Sequence, residues 1–100
     1  MATFKEDTFG SAVAGTAVRT SRALVALRVP SAFTGTVKFK WVDAGGSTHI
    51  VQEDGADLAF TAAAERVLDF GVPVSLYAEC TAFTSGSCVV CIQGASITYP

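Results

Sequence analysis

The sequence predicts an all-β fold: a small antiparallel β-sandwich of jelly-roll or immunoglobulin-like type with an N-terminal arm. Three observations point there. Short runs of alternating apolar and polar residues recur along the chain, with Gly, Pro, Asp and Ser between them. Heptads and helix-capping patterns are absent. The chain has 100 residues, 50% of them apolar and 16% charged, which suits one core. Size scaling gives about 5,400 Å² of folded surface against roughly 15,000 Å² unfolded, so close to two-thirds is buried on folding.

In chain order, residues 1–12 read as an arm in which Phe4 and Phe9 stand alone among polar and small residues, suited to ring docking on a partner. Residues 13–100 form the sandwich domain. Ala12–Thr20 is Ala- and Gly-rich, with an edge strand expected near Ala17–Arg19. Ala23–Val29 alternates, with Val25, Leu27 and Val29 inward and Ala26 and Arg28 outward; Pro30 ends it because proline lacks a ladder donor. Ser31–Thr36 is expected to turn at Gly35. Val37–Val42 gives the clearest half-buried strand, with Val37, Phe39 and Trp41 inward and Trp41 as the largest core plug.

Asp43–Ser47 is a turn and Thr48–Gln52 the strand returning from it. Glu53–Asp57 is a polar loop, Leu58–Ala64 irregular, Glu65–Phe70 a short strand and Gly71–Pro73 a corner. Val74–Ile92 reads as a closing hairpin. A three-residue loop, Thr84-Ser85-Gly86, sets Ala82, Cys80 and Ala78 opposite Cys88, Val90 and Ile92, so every inward residue finds an apolar partner. Ala32-Phe33-Thr34-Gly35-Thr36 echoes Ala82-Phe83-Thr84-Ser85-Gly86-Ser87, which suggests equivalent hairpins in the two sheets.

The chemistry-bearing residues do not assemble into a catalytic set. Cys80, Cys88, Cys91 and His49 are the residue types of a zinc site, but tetrahedral zinc needs four convergent ligands, and Cys88 and Cys91 differ in strand parity. Cys80 and Cys88 are expected to be buried and hydrophobe-like. Cys91, on the outer face beside Thr81 and Glu79, is the one thiol left open to reaction or contact. Glu53, Asp54 and Asp57 lack calcium-loop spacing. Gly45-Gly46 precedes no helix, so a phosphate cradle is not supported. No cofactor, metal or enzymatic activity is expected.

Net charge is −2 with the seven Lys and Arg residues dispersed, which argues against nucleic acid as partner. No apolar run approaches a membrane span. The first fifteen residues mix both charge signs before any apolar segment, so synthesis in a reducing cytosol is expected. Arg28, Lys38 and Lys40 are expected to form a cationic strip on the outer face of neighbouring strands, which reads first as edge protection and solubility and second as a surface that meets an acidic neighbouring subunit.

Three motifs carry a resemblance: Phe33-Thr34-Gly35-Thr36-Val37, Gly45-Gly46-Ser47-Thr48 and Ala82-Phe83-Thr84-Ser85-Gly86-Ser87. With the strands between them, residues 18 to 94 resemble a β-sandwich of tailed-bacteriophage virion proteins. The strand before the last motif is often Arg-x-Arg in that group, whereas this chain has Tyr77 and Glu79, so no arginine contact carries over. The resemblance implies a non-enzymatic virion structural protein, a capsid cement or decoration protein. Its partners would be the major capsid protein and two further copies in a homotrimer. It would be made in the bacterial host cytoplasm and sit on the capsid surface, with Phe4, Phe9, Arg28, Lys38 and Lys40 as candidate contacts. The alternatives are a tail, head–tail connector or fibre-associated protein, or a glycan-binding module using Tyr77, Phe83 and Tyr99.

Overall fold

A computed structural model describes residues 3–20, 23–30 and 32–94. The described residues form a β-sandwich without helix, and the accessible surface of 5374 Å² agrees with the size-scaling expectation. One sheet orders its strands β1 (Thr3–Phe9), β11 (Cys88–Gly94), β3 (Leu24–Val29) and β9 (Ala64–Asp69). The facing sheet runs β2 (Val18–Arg19), β10 (Ser75–Gly86), β4 (Phe33–Val42) and β5 (Thr48–Ile50), with β8 (Ala59–Phe60) also on β4. β6 (Gln52–Glu53) and β7 (Ala56–Asp57) make a small ribbon, turned at Asp54-Gly55 where both φ angles are positive. The expected loop there is thus a hairpin, and the irregular stretch after it holds β8.

Alternation decides which face is buried. Val25, Leu27 and Val29 of β3 and Val90 and Ile92 of β11 pack in one cluster with Val37 and Phe39 of β4 and Leu76 and Ala78 of β10. Each such side chain contributes about 1.5–3 kcal/mol by leaving water. Phe39, fully buried, meets Phe60 edge-on with ring centroids 5.4 Å apart. The largest plug is therefore Phe39. Trp41 keeps the inward parity but lies towards the end of β4, where it is only partly buried.

Residues 3–9, expected as part of an arm, are β1, paired antiparallel with β11. Phe9 is a core residue at 4% exposure and Phe4 packs against the core. Two charged residues conceal the alternation. Lys5 and Asp7 stand opposite Ile92 and Val90, on the inner face at the margin of the sheet. There they pair with each other at 3.5 Å, and the Lys5 ammonium also donates to Thr16. The segment carrying Thr16 runs along β10, with Cys80 N donating to Val13 O and Gly15 N to Ala78 O. β2 ends this edge as expected, and the buried Thr20 hydroxyl accepts from Val74 N.

The closing hairpin does not form. β10 pairs with β4 and β2, β11 with β1 and β3, and the chain changes sheets at Ser87. Inward parity holds for Leu76, Ala78, Cys80, Cys88, Val90 and Ile92, all buried. It holds because inward residues of facing sheets meet as readily as those of neighbouring strands. The thiols of Cys80 and Cys88 lie within hydrogen-bonding reach of each other. Ala82 is exposed, because the register shifts between Cys80 and Ala82.

The two echoing motifs prove to be partners. Phe83 lies opposite Gly35, Ser85 opposite Thr34 and Gly86 opposite Phe33, so Phe33–Thr36 is the start of β4 rather than a turn. The strands run so close that a Cβ on Gly35 would lie 2.3 Å from Ala82 O, and one on Gly86 3.2 Å from Phe33 Cα.

Two substitutions test this architecture. Phe9→Ala is expected to cost about 3–5 kcal/mol in urea unfolding, as a large core cavity does, whereas a free arm would leave stability unchanged. Gly35→Ala is expected to lose roughly 2–4 kcal/mol through enforced strand separation, against under about 1 kcal/mol for Gly10→Ala, whose Cβ would meet nothing within 4 Å.

Candidate functional site

The most organised polar cluster lies at the β4–β5 turn. Asp43 N donates to Ser47 O at 2.9 Å and Gly46 N to Asp43 O at 3.0 Å, closing the hairpin. The Asp43 carboxylate then gathers three donors: Gly45 N at 2.9 Å, Ser47 N at 2.9 Å and the His49 ring Nε2–H at 2.8 Å. Those bonds, led by His49, hold its carboxyl below the ordinary value of 3.8. The turn pairs Trp41 with His49 across the strands, and their rings stack at 4.4 Å with planes 27° apart. Asp43 thus fixes one ring and that ring lies against another.

This pair borders a groove of about 690 Å³ between the β5 side of one sheet and the β9 side of the other. Gln52 and Asp57 form one part of its lining, Leu68 and Phe70 another. Asp57 accepts from Gln52 Nε2 at 3.1 Å and from Lys38 Nζ at 3.2 Å, and these two donors hold its carboxyl low. Asp69, also on the groove, accepts from Gly71 N at 2.8 Å. The arrangement sets oriented rings, an amide and carboxylates around a concave floor, a mixture of groups that small-molecule sites share.

The sequence places Trp41 in the core and His49 on the returning strand Thr48–Gln52, and does not by its alternation alone bring the two rings together. The signal was present. Once Asp43 and Ser47 close the turn, counting outward sets Val42 against Thr48 and Trp41 against His49.

The predicted contact residues do not converge. Lys38 and Lys40 share the outward face of β4, but each meets a carboxylate of its own chain. Lys38 reaches Asp57, and Lys40 reaches Glu79 at 2.6 Å, a bond that raises the Lys40 pKa. Arg28 is outward on β3, in the opposite sheet, so the three form no common strip. Phe4 and Phe9 are taken up by the core side of β1. Phe83 packs against the core as well, and Tyr99 lies outside the described residues.

Burial raises all three thiols, Cys88 to about 11. Cys91 does lie on the outer face, but its neighbours there are Glu6 and Arg28 rather than Thr81 and Glu79. At 5% exposure, with its Sγ–H donating to Glu6 Oε2 at 3.5 Å, it is a shielded thiol, buried by β1 of its own chain rather than open to reaction. Among the described residues, no three His, Cys, Asp or Glu side chains converge as a metal set would.

Asp43 supplies a pH test. A carboxylate with a depressed folded pKa stabilises the fold above its unfolded value, and that stability fades as pH falls through the folded one. Asp43→Asn is therefore expected to lower the melting temperature at pH 7, with the gap to wild type closing as pH drops below about 4. A gap independent of pH would contradict the assigned role. Comparison with protein-family models, with curated proteins and with solved structures finds no significant match to this chain.

Proposed function

We propose that the protein is a non-enzymatic phage virion component, a capsid cement that binds the assembled shell of major capsid protein and stabilises it as a homotrimer. The observation that carries this reading is a free sheet edge with apolar side chains beside it. Among the described residues β9 closes one end of its sheet with β3 as its only partner, Val67 on it is 50% exposed, and Val72 in the following corner is 60% exposed. Such an edge accepts another strand or an apolar neighbour. The virion resemblance of residues 18 to 94 and the low charge content agree with a rigid block that works by contact. Binding only the assembled lattice stabilises that lattice by mass action.

The contact surface is then the β9 flank, with the ion-paired Lys38 and Lys40 in a minor role. Val67→Glu is expected to abolish co-sedimentation with expanded capsids while shifting unfolding by no more than about 0.5 kcal/mol, as an exposed change should. Wild-type protein that never co-sediments with capsids, or that forms hexameric rings under negative stain, overturns the cement reading, the second outcome in favour of a tail or connector part.

A further inference from the structure

The groove beside Trp41 shares its β9 wall with the flank assigned to the capsid but is not itself used in that reading, and its lining selects among ligand chemistries. No Lys or Arg is among its lining residues, while Asp57 and Asp69 are, so an anion is repelled. A strongly cationic ligand gains little. Both Asp57 oxygens are engaged, one by the Gln52 amide and the other by the Lys38 ammonium, and Asp69 already binds the Gly71 N–H. What remains is hydrogen-bonding capacity without much free charge, set against aromatic and aliphatic surface. The Thr48 hydroxyl, the Gln52 amide and the second His49 ring nitrogen supply donors and acceptors. The stacked Trp41 and His49 rings, with Leu68 and Phe70, supply apolar area. A pyranose has this same duality: hydroxyls around its rim and C–H groups on its faces. The volume of about 690 Å³ lies within the roughly 300–1,000 Å³ of small-molecule sites.

We propose that this groove is a saccharide subsite that takes a neutral sugar against the His49–Trp41 pair, with Gln52 and the second lone pairs of the charge-compensated Asp57 carboxylate bonding its hydroxyls. Asp43 is a positioning residue that fixes the His49 ring through Nε2 before any ligand arrives, which lowers the ordering cost of binding. This site differs from the Tyr77, Phe83 and Tyr99 set suggested by sequence, and it does not depend on the capsid reading.

Trp41 is the chain's only tryptophan, so its fluorescence reports on the groove directly. The test titrates the intact protein with glucose, N-acetylglucosamine and lactose, and separately with an Arg-Val-Arg tripeptide and with acetate. Trp41 emission and amide chemical shifts are followed together. The expected result is a saturable response to at least one sugar, with shifts centred on 48–52 and 68–70. His49→Ala and Asp57→Asn are each expected to weaken it by at least ~10-fold, the loss of one good hydrogen bond or ring contact. Both side chains are on the surface, and the amide spectrum reports whether the fold survives. A response to the tripeptide alone overturns the proposal in favour of a peptide groove. A response to acetate alone, or none to any probe, overturns it outright.

Discussion

The pairing of β4 with β10 is the contact on which the rest of the sandwich depends. Ten residues of one strand and twelve of the other run together from Val42–Ser75 to Phe33–Gly86, and they supply Val37, Phe39, Leu76, Ala78 and Cys80 to the core. At its far end the two backbones approach so closely that only glycine fits at position 35. At its near end β4 runs on into the Asp43 turn, whose closure sets β5 beside it and Trp41 against His49. A slip of one residue in this pair would turn Phe39 outward, away from Leu76 and Ala78.

The alternation of β3, β4, β10 and β11 was legible because the inward positions of each strand are apolar, and the inward residues named from sequence are nearly all buried, although Ala26 and Cys91 are buried on the outer face as well. The partnership of strands was not legible. Cys80 and Cys88 meet across the core, and parity alone reads the same whether two strands lie side by side or face to face. β1 escaped notice because Lys5 and Asp7 occupy inward positions that composition assigns to solvent. They can do so only at the sheet margin, where Thr16 and each other satisfy them. The cationic strip failed for a related reason: β3 and β4 are consecutive in sequence yet lie in opposite sheets.

The candidate site was half legible. The turn at Asp43 and the inward parity of Trp41 could be read, and together they imply a ring against His49. The open flank between the two sheets could not, because it depends on where β9 stops and how the β6–β7 ribbon fills the gap. Both are tertiary facts without a local signature. Electrostatics follows the same division. Lys38 and Lys40 look free in sequence and are engaged in space by Asp57 and Glu79, pairs that solvent screens at such exposure.

The place of β11 bears on how the protein is made. It lies between β1 and β3, strands that leave the ribosome long before it. Until residues 88–94 are available, the first sheet has a gap at its centre, with β1 lacking β11, its one partner strand among the described residues, and β3 paired with β9 on one side. Emerging chain can assemble the β4–β5 hairpin early, since its contacts are local, but the inner face of β3 stays uncovered on one side. Completion is thus a late insertion of one strand between two waiting edges, the kind of non-local step that sets slow folding and leaves open edges exposed to neighbouring nascent chains.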